Sequence, residues 1–143
     1  MNNGYAHAVK EILKLDGKSV EAGILATAGR EDGTDLVDIA IFNEYGTKHI
    51  PSRPFVRLAT DNNQKEWEKI IKAGHAAIVA GTRDSDFMLN ALGNRMVADI
   101  QKTIGNRQLL VPNSPKTIQR KGSDAPLIDS GRLRQSVDYE IKG

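Results

Sequence analysis

Pro54-FVRLATDNNQKEWEKIIKAGHAAIVAGTRDSDFMLNALGNRMVADIQKTI-Gly105 is the stretch that decides the fold of this chain. Pro54 suits a first helical position, because its fixed φ is already helical and its missing N–H would have had no partner there. The helix runs through Arg57 and Leu58 and continues or restarts near Asp61, with Trp67, Ile70, Ile71, Ala77 and Ile78 as its apolar stripe. Gly81 to Asp84 breaks it, and Asp84 or Ser85 caps a second helix whose stripe is Phe87, Leu89, Leu92, Met96, Val97 and Ile100. Gly105 ends that helix. Two helices joined by so short a turn are expected to pack antiparallel as an αα-hairpin.

Working outward to the N-terminal side, Gly4 to Leu15 places Ala8, Ile12 and Leu15 at helical spacing, with Val9 and Leu13 beside them. Ser19 to Thr27 alternates, with Val20, Ala22, Ile24 and Ala26 on one face, which predicts a strand. Gly29 to Thr34 is a charged turn. Asp35 to Tyr45 carries Leu36, Ile39 and Ala40 at helical spacing, although Val37, Ile39 and Ile41 fit a strand nearly as well; the capping oxygens of Thr34 and Asp35 and the stop at Gly46 favour the helix. Lys48 to Pro54 holds two prolines and is expected to be a fixed loop.

Beyond Asn106 the texture changes, since Pro112, Pro115, Gly122, Pro126 and Gly131 interrupt every apolar run. Ser130 is placed to cap a short turn over 131–135, and Ser136 to Ile141 alternates Val137, Tyr139 and Ile141 against Asp138 and Glu140, which predicts a last strand. The expected class is therefore α+β, with a small, mostly antiparallel sheet packed against two or more long helices and long proline-rich loops. A length of 143 residues suits one domain, 1–143, without repeats.

Several function classes are disfavoured. The chain has no cysteine, so disulfides, zinc-thiolate sites and a cysteine nucleophile are out. His7, His49 and His75 lack metal-ligand spacing and read as surface residues. There is no glycine-rich phosphate loop and no nucleophile elbow. Glu11, Glu21, Glu31, Glu44, Glu66 and Glu68 fall mostly on faces expected to meet solvent, where nothing would tune them for acid–base work. No catalytic residue, metal or cofactor is expected. No apolar run approaches the ~20 residues that span a bilayer, and the N-terminus lacks a signal-peptide core, so a cytoplasmic protein without membrane contact is expected. The net charge of +2 is interspersed and exerts no strong pull on nucleic acid.

Two stretches are more specific. One is Phe42-Asn43-Glu44-Tyr45-Gly46-Thr47 followed by Ile50-Pro51-Ser52-Arg53-Pro54-Phe55; the other is Pro112-Asn113-Ser114-Pro115-Lys116-Thr117-Ile118 followed by Pro126-Leu127-Ile128-Asp129-Ser130-Gly131-Arg132-Leu133-Arg134-Gln135-Ser136-Val137. In that order, over roughly residues 35 to 141, the chain resembles the small neck and tail-completion proteins of tailed phages, the family typified by gene product 10 of phage HK97, and is similar to virion-morphogenesis proteins of Mu-like phages. Ser130 stands where the family more usually has threonine, which keeps a capping hydroxyl. The resemblance implies a structural virion protein at the head–tail junction, made in the host cytoplasm. It would form a ring of identical subunits, six the expected number, between head-completion or connector proteins and the tail tube.

Read physically, Arg53 sits between a loop and a helix start, where its planar fork either holds a carboxylate, with Glu44 the candidate, or lies in solvent. Phe55, held beside two prolines, fills its own core or a neighbour's pocket. Asp129 and Ser130 read as a capped turn. Arg132 and Arg134, with Lys116, Arg120 and Lys121, face solvent, an adjoining ring, or DNA passing through a channel. The rival reading is a small basic nucleic-acid-binding or nuclease-type protein, which accounts for the basic residues and not for the two motifs.

Overall fold

A computed structural model describes residues 3–31, 33–106 and 131–143. The elements are α1 (Asn3–Leu15), β1 (Ser19–Ile24), a 3-10 turn (Ala26–Ala28), a short hairpin of β2 (Arg30–Glu31) and β3 (Thr34–Asp35), α2 (Leu36–Tyr45), α3 (Phe55–Val79), α4 (Ser85–Ile104), α5 (Arg132–Gln135) and β4 (Val137–Lys142). The class is α+β, as expected. Asp129, Ser130 and the second motif up to Ser130, with the proline-rich loop expected there, lie outside the described residues.

The hairpin of α3 and α4 is the frame. Asp84 caps α4 by accepting a hydrogen bond from the Phe87 N–H at 2.8 Å, which satisfies one of the donors left over at a helix start. α3 is one unbroken helix of 25 residues, so no restart occurs near Asp61. Its direction against α4 follows from the packing: Phe55 and Ala59 meet Ile100 and Ile104 at one end, and Ile78 meets Met88 and Leu89 at the other. The helices are therefore antiparallel. Phe87, expected on the inner stripe, points outward at 52% exposure with the Arg83 guanidinium over its ring, and Met88 takes the inward place.

β1 and β4 pair antiparallel over six residues, with Val20 opposite Ile141, Ala22 opposite Tyr139 and Ile24 opposite Val137. Those six side chains share the face turned to α4. The strands lie along the hairpin and join its two apolar clusters, since Ile24 and Val137 reach the Phe55 cluster while Val20 and Ile141 reach the Ile78 cluster. The alternation read in Val137, Tyr139 and Ile141 is the burial pattern observed.

Between the clusters the Tyr139 ring lies on Gly93, and its hydroxyl donates to Asn90 Oδ1 at 2.6 Å. A methyl group at 93 would sit 2.2 Å from the ring, so the ring would have to leave and the strand with it. Gly93→Ala gains up to about 1 kcal/mol of helix propensity and loses about 1–3 kcal/mol to overpacking. It is expected to lower the melting temperature. Gly74→Ala is expected to overpack as well, because its methyl group would sit 2.1 Å from Cγ and 3.0 Å from Cβ of the buried Met88. An unchanged melting temperature for Gly93→Ala would mean that the Tyr139 contact is not needed.

Candidate interaction surfaces

The two short helices are docked in an unusual way. On α1 the inward positions are Ala8, Glu11 and Leu15, and the expected stripe is rotated: Ile12 is 44% exposed, while Glu11 is 5% exposed. Its carboxylate accepts hydrogen bonds from the Ser85 N–H and the Ser85 hydroxyl, both at 2.9 Å, and from Lys14 Nζ at 2.9 Å. Ser85 is the first residue of α4, so a carboxylate of α1 meets the positive end of another helix. The expectation that Glu11 faces solvent is corrected for that reason: a carboxylate is stabilised by unpaired helix N–H groups and an isoleucine is not.

α2 repeats the device at the other end of the hairpin. Glu44 is buried, and its carboxylate accepts from the Val56 N–H at 2.8 Å and from the Arg57 N–H at 3.3 Å, at the start of α3. Arg57 Nε donates to the same carboxylate at 3.0 Å. The cation on Glu44 is thus Arg57 and not Arg53, because one helical turn beyond Pro54 brings position 57 back over the helix start. Asp35 was expected to cap α2 through its side chain; it occupies the cap position without that bond and pairs instead with Arg30 Nε at 3.2 Å.

The first motif closes on itself around Glu44. The Arg53 N–H donates to the Asn43 carbonyl, the Ser52 hydroxyl to the Glu44 carbonyl at 2.9 Å, and the Thr47 N–H to the Ile50 carbonyl at 2.8 Å. Thr47 Oγ1 accepts from the Ile50 N–H at 3.0 Å. Gly46 has φ 77°, and a Cβ there would lie 2.9 Å from the Ser52 nitrogen, so both the backbone angle and the space require glycine. Residues 42–47 and 50–55 therefore form one clasp that fixes α2 against α3. Arg53 is half-buried at this junction, and burial pushes its guanidinium below the ordinary arginine value. Phe55 is fully buried in the chain's own core. Arg132 and Arg134 are exposed on α5, where the Arg134 carbonyl accepts from Gln101 Nε2 at 3.1 Å.

Because their inward sides carry carboxylates, both helices turn apolar groups outward. α1 exposes Tyr5 (68%), Val9, Ile12 and Leu13 (67%), and an open depression lined by Tyr5, Ala6, Val9, Lys10, Leu13 and Lys14 runs along it. α2 exposes Ile41, Phe42 and Tyr45 (69%), with Arg57 over the Tyr45 ring at 5.1 Å. Seven large apolar side chains on two short helices are more than scattered surface exposure, and such patches mark contact sites.

Asp99 was not singled out in the sequence. It is buried on α4, where it accepts from Trp67 Nε1 at 2.7 Å and from Arg95 Nε at 3.0 Å. Its signal was position: Leu92, Met96, Asp99 and Thr103 share one face, and the chain's one tryptophan sits on the neighbouring helix needing an acceptor. Among the described residues no buried side-chain nitrogen or oxygen lacks a partner, so Glu11, Glu44 and Asp99 are engaged structurally. Among the same residues no three His, Asp or Glu are grouped to hold a metal, and no helix is long and apolar enough to cross a membrane.

The bonds from Ser85, with help from Lys14, hold the Glu11 carboxyl down at about 2, against an ordinary value of 4.5. A depressed folded-state value stabilises the fold above pH 4.5, and that contribution disappears as pH falls toward 2. Glu11→Gln should therefore show a shallower fall in urea midpoint than the wild-type chain across this window. Parallel acid limbs would show that Glu11 does not anchor α1.

No family model, curated protein or solved structure matches the chain.

Proposed function

We propose that the protein is a structural subunit of a tailed-phage virion, forming a ring at the head–tail junction as a neck, tail-completion or tail-terminator protein, and that it has no catalytic role. The observation that carries this reading is the pair of outward apolar faces on α1 and α2, near opposite ends of the hairpin and each held rigid by a buried carboxylate. A chain with two separate patches is suited to heterologous contacts, in which one patch binds a different patch on the next copy and the rotation sets the number that closes the ring. The clasp over residues 42–55 supports the resemblance, because the residues that carry it act together to fix α2.

The mechanism is geometric: the ring joins the tail to the head and leaves an axial path for DNA. Particles assembled without the protein should give filled heads and separate tails; joined particles in its absence would refute the reading. In Arg53→Ala the isolated subunit should stay folded while particle yield falls, and Arg53→Lys should be nearly as harmful, because an ammonium lacks the planar fork. Normal yield from both variants would remove Arg53 from the assembly role. The nucleic-acid-binding alternative predicts affinity that weakens steeply with salt, and no DNA affinity of that kind is expected here.

A further inference from the structure

We infer that the outward face of α1 in one copy packs on the outward face of α2 in the next, so that a single type of helix–helix contact links successive subunits. The inference rests on the ring reading and names the surfaces that form the ring. On α1, Tyr5, Val9 and Leu13 form an i, i+4 ridge with Ile12 beside it. On α2, Ile41 and Tyr45 form one such ridge and Asp38 and Phe42 another, all four exposed. Ridges of this kind pack into one another's grooves.

Charge selects the pairing. Lys14 is held by Glu11, and Arg57 over the Tyr45 ring is held by Glu44, so the outward charge left uncompensated is Lys10 on α1 and Asp38 on α2. Pairing α1 with α1 would bring lysines together, and pairing α2 with α2 would bring aspartates together. Pairing α1 with α2 sets lysine against aspartate, the arrangement that steers and orients association. Within one copy the two faces cannot meet. α2 docks beside Val56 and α1 beside Ile78, with roughly 33 Å of α3 between them at the helical rise. Tyr5, Phe42 and Tyr45 supply the aromatic anchors that dominate such contacts.

The natural chain has no cysteine, so introduced thiols report contacts without background. Leu13→Cys and Tyr45→Cys each replace an exposed residue and should leave the subunit folded. Mixed under mild oxidation, the two single variants should form a covalent dimer at least about tenfold faster than either alone, since a shared interface raises the effective thiol concentration. The double variant should give a ladder of multimers up to a closed ring. Lys10→Glu or Asp38→Lys should each slow the cross-link, and the two together, on opposite partners, should restore it. Leu13→Cys dimerising alone as fast as the mixture would overturn the inference in favour of a two-fold contact. A mixture that does not cross-link, while the wild-type chain sediments as a ring, overturns the α1–α2 contact and leaves the ring reading standing. A wild-type chain that stays monomeric at every concentration, with no cross-link in the mixture, overturns both.

Discussion

Removing residues 131–143 should abolish cooperative thermal unfolding. The segment contributes Leu133 and Val137, each 5% exposed, to the cluster built on Phe55, Ala59, Ile100 and Ile104. Ile141 covers the second cluster and Tyr139 covers the middle of α4 at Gly93. Burying each large apolar side chain stabilises by about 1.5–3 kcal/mol, so the four together approach the ~5–15 kcal/mol by which a whole domain is stable. β1 would also lose the strand with which it pairs along its full length, which leaves the apolar side of α4 open to water. The truncated chain should keep helical circular dichroism, bind a hydrophobic dye and melt without a sharp transition, as loosely packed states do. A sharp transition surviving the truncation would show that β4 is an external arm and that the hairpin is stable alone.

Phe55→Ala is expected to cost about 3–5 kcal/mol in the isolated subunit, the usual range for emptying a buried phenylalanine site. Phe55 is 0% exposed and is the first residue of α3, so the cavity would open beside the N–H groups that Glu44 caps. The structure has little means to collapse there, because Ala59 is already small and Ile104 and Leu133 are held by separate elements. The urea midpoint should fall by an amount corresponding to that loss, and the slope should stay the same. If Phe55 served a neighbour's pocket, the isolated subunit would lose little and assembly alone would suffer. Denaturation of the monomer therefore decides between the two roles, and burial points to the first.

The sequence by itself determined the frame of this protein. Apolar spacing, a cap at Asp84 or Ser85 and the break at Gly81 to Asp84 specify the hairpin, because period and capping are local properties that act before any tertiary contact forms. The alternation of Val137, Tyr139 and Ile141 specifies which side of β4 faces the core for the same reason. Residues 42–55 were legible as a unit, with Gly46 and the prolines marking its turns.

Tertiary structure alone decided how the short helices face. α1 offers Ala8, Ile12 and Leu15 or Ala8, Glu11 and Leu15 as its inner stripe, and the spacing hardly separates them. What chooses is the Ser85 N–H across the gap, a donor from a residue 74 positions away along the chain. The same holds for Glu44, which takes Arg57 and the Val56 N–H because α3 begins where it does. It holds as well for Asp99, whose burial needs the Trp67 indole on another helix. In each case a carboxylate that would be solvated on its own helix is buried, because a separate element supplies the hydrogen-bond donors that replace water. That replacement turns the apolar sides of α1 and α2 outward, and so the surfaces proposed to build the ring exist only once the chain has folded.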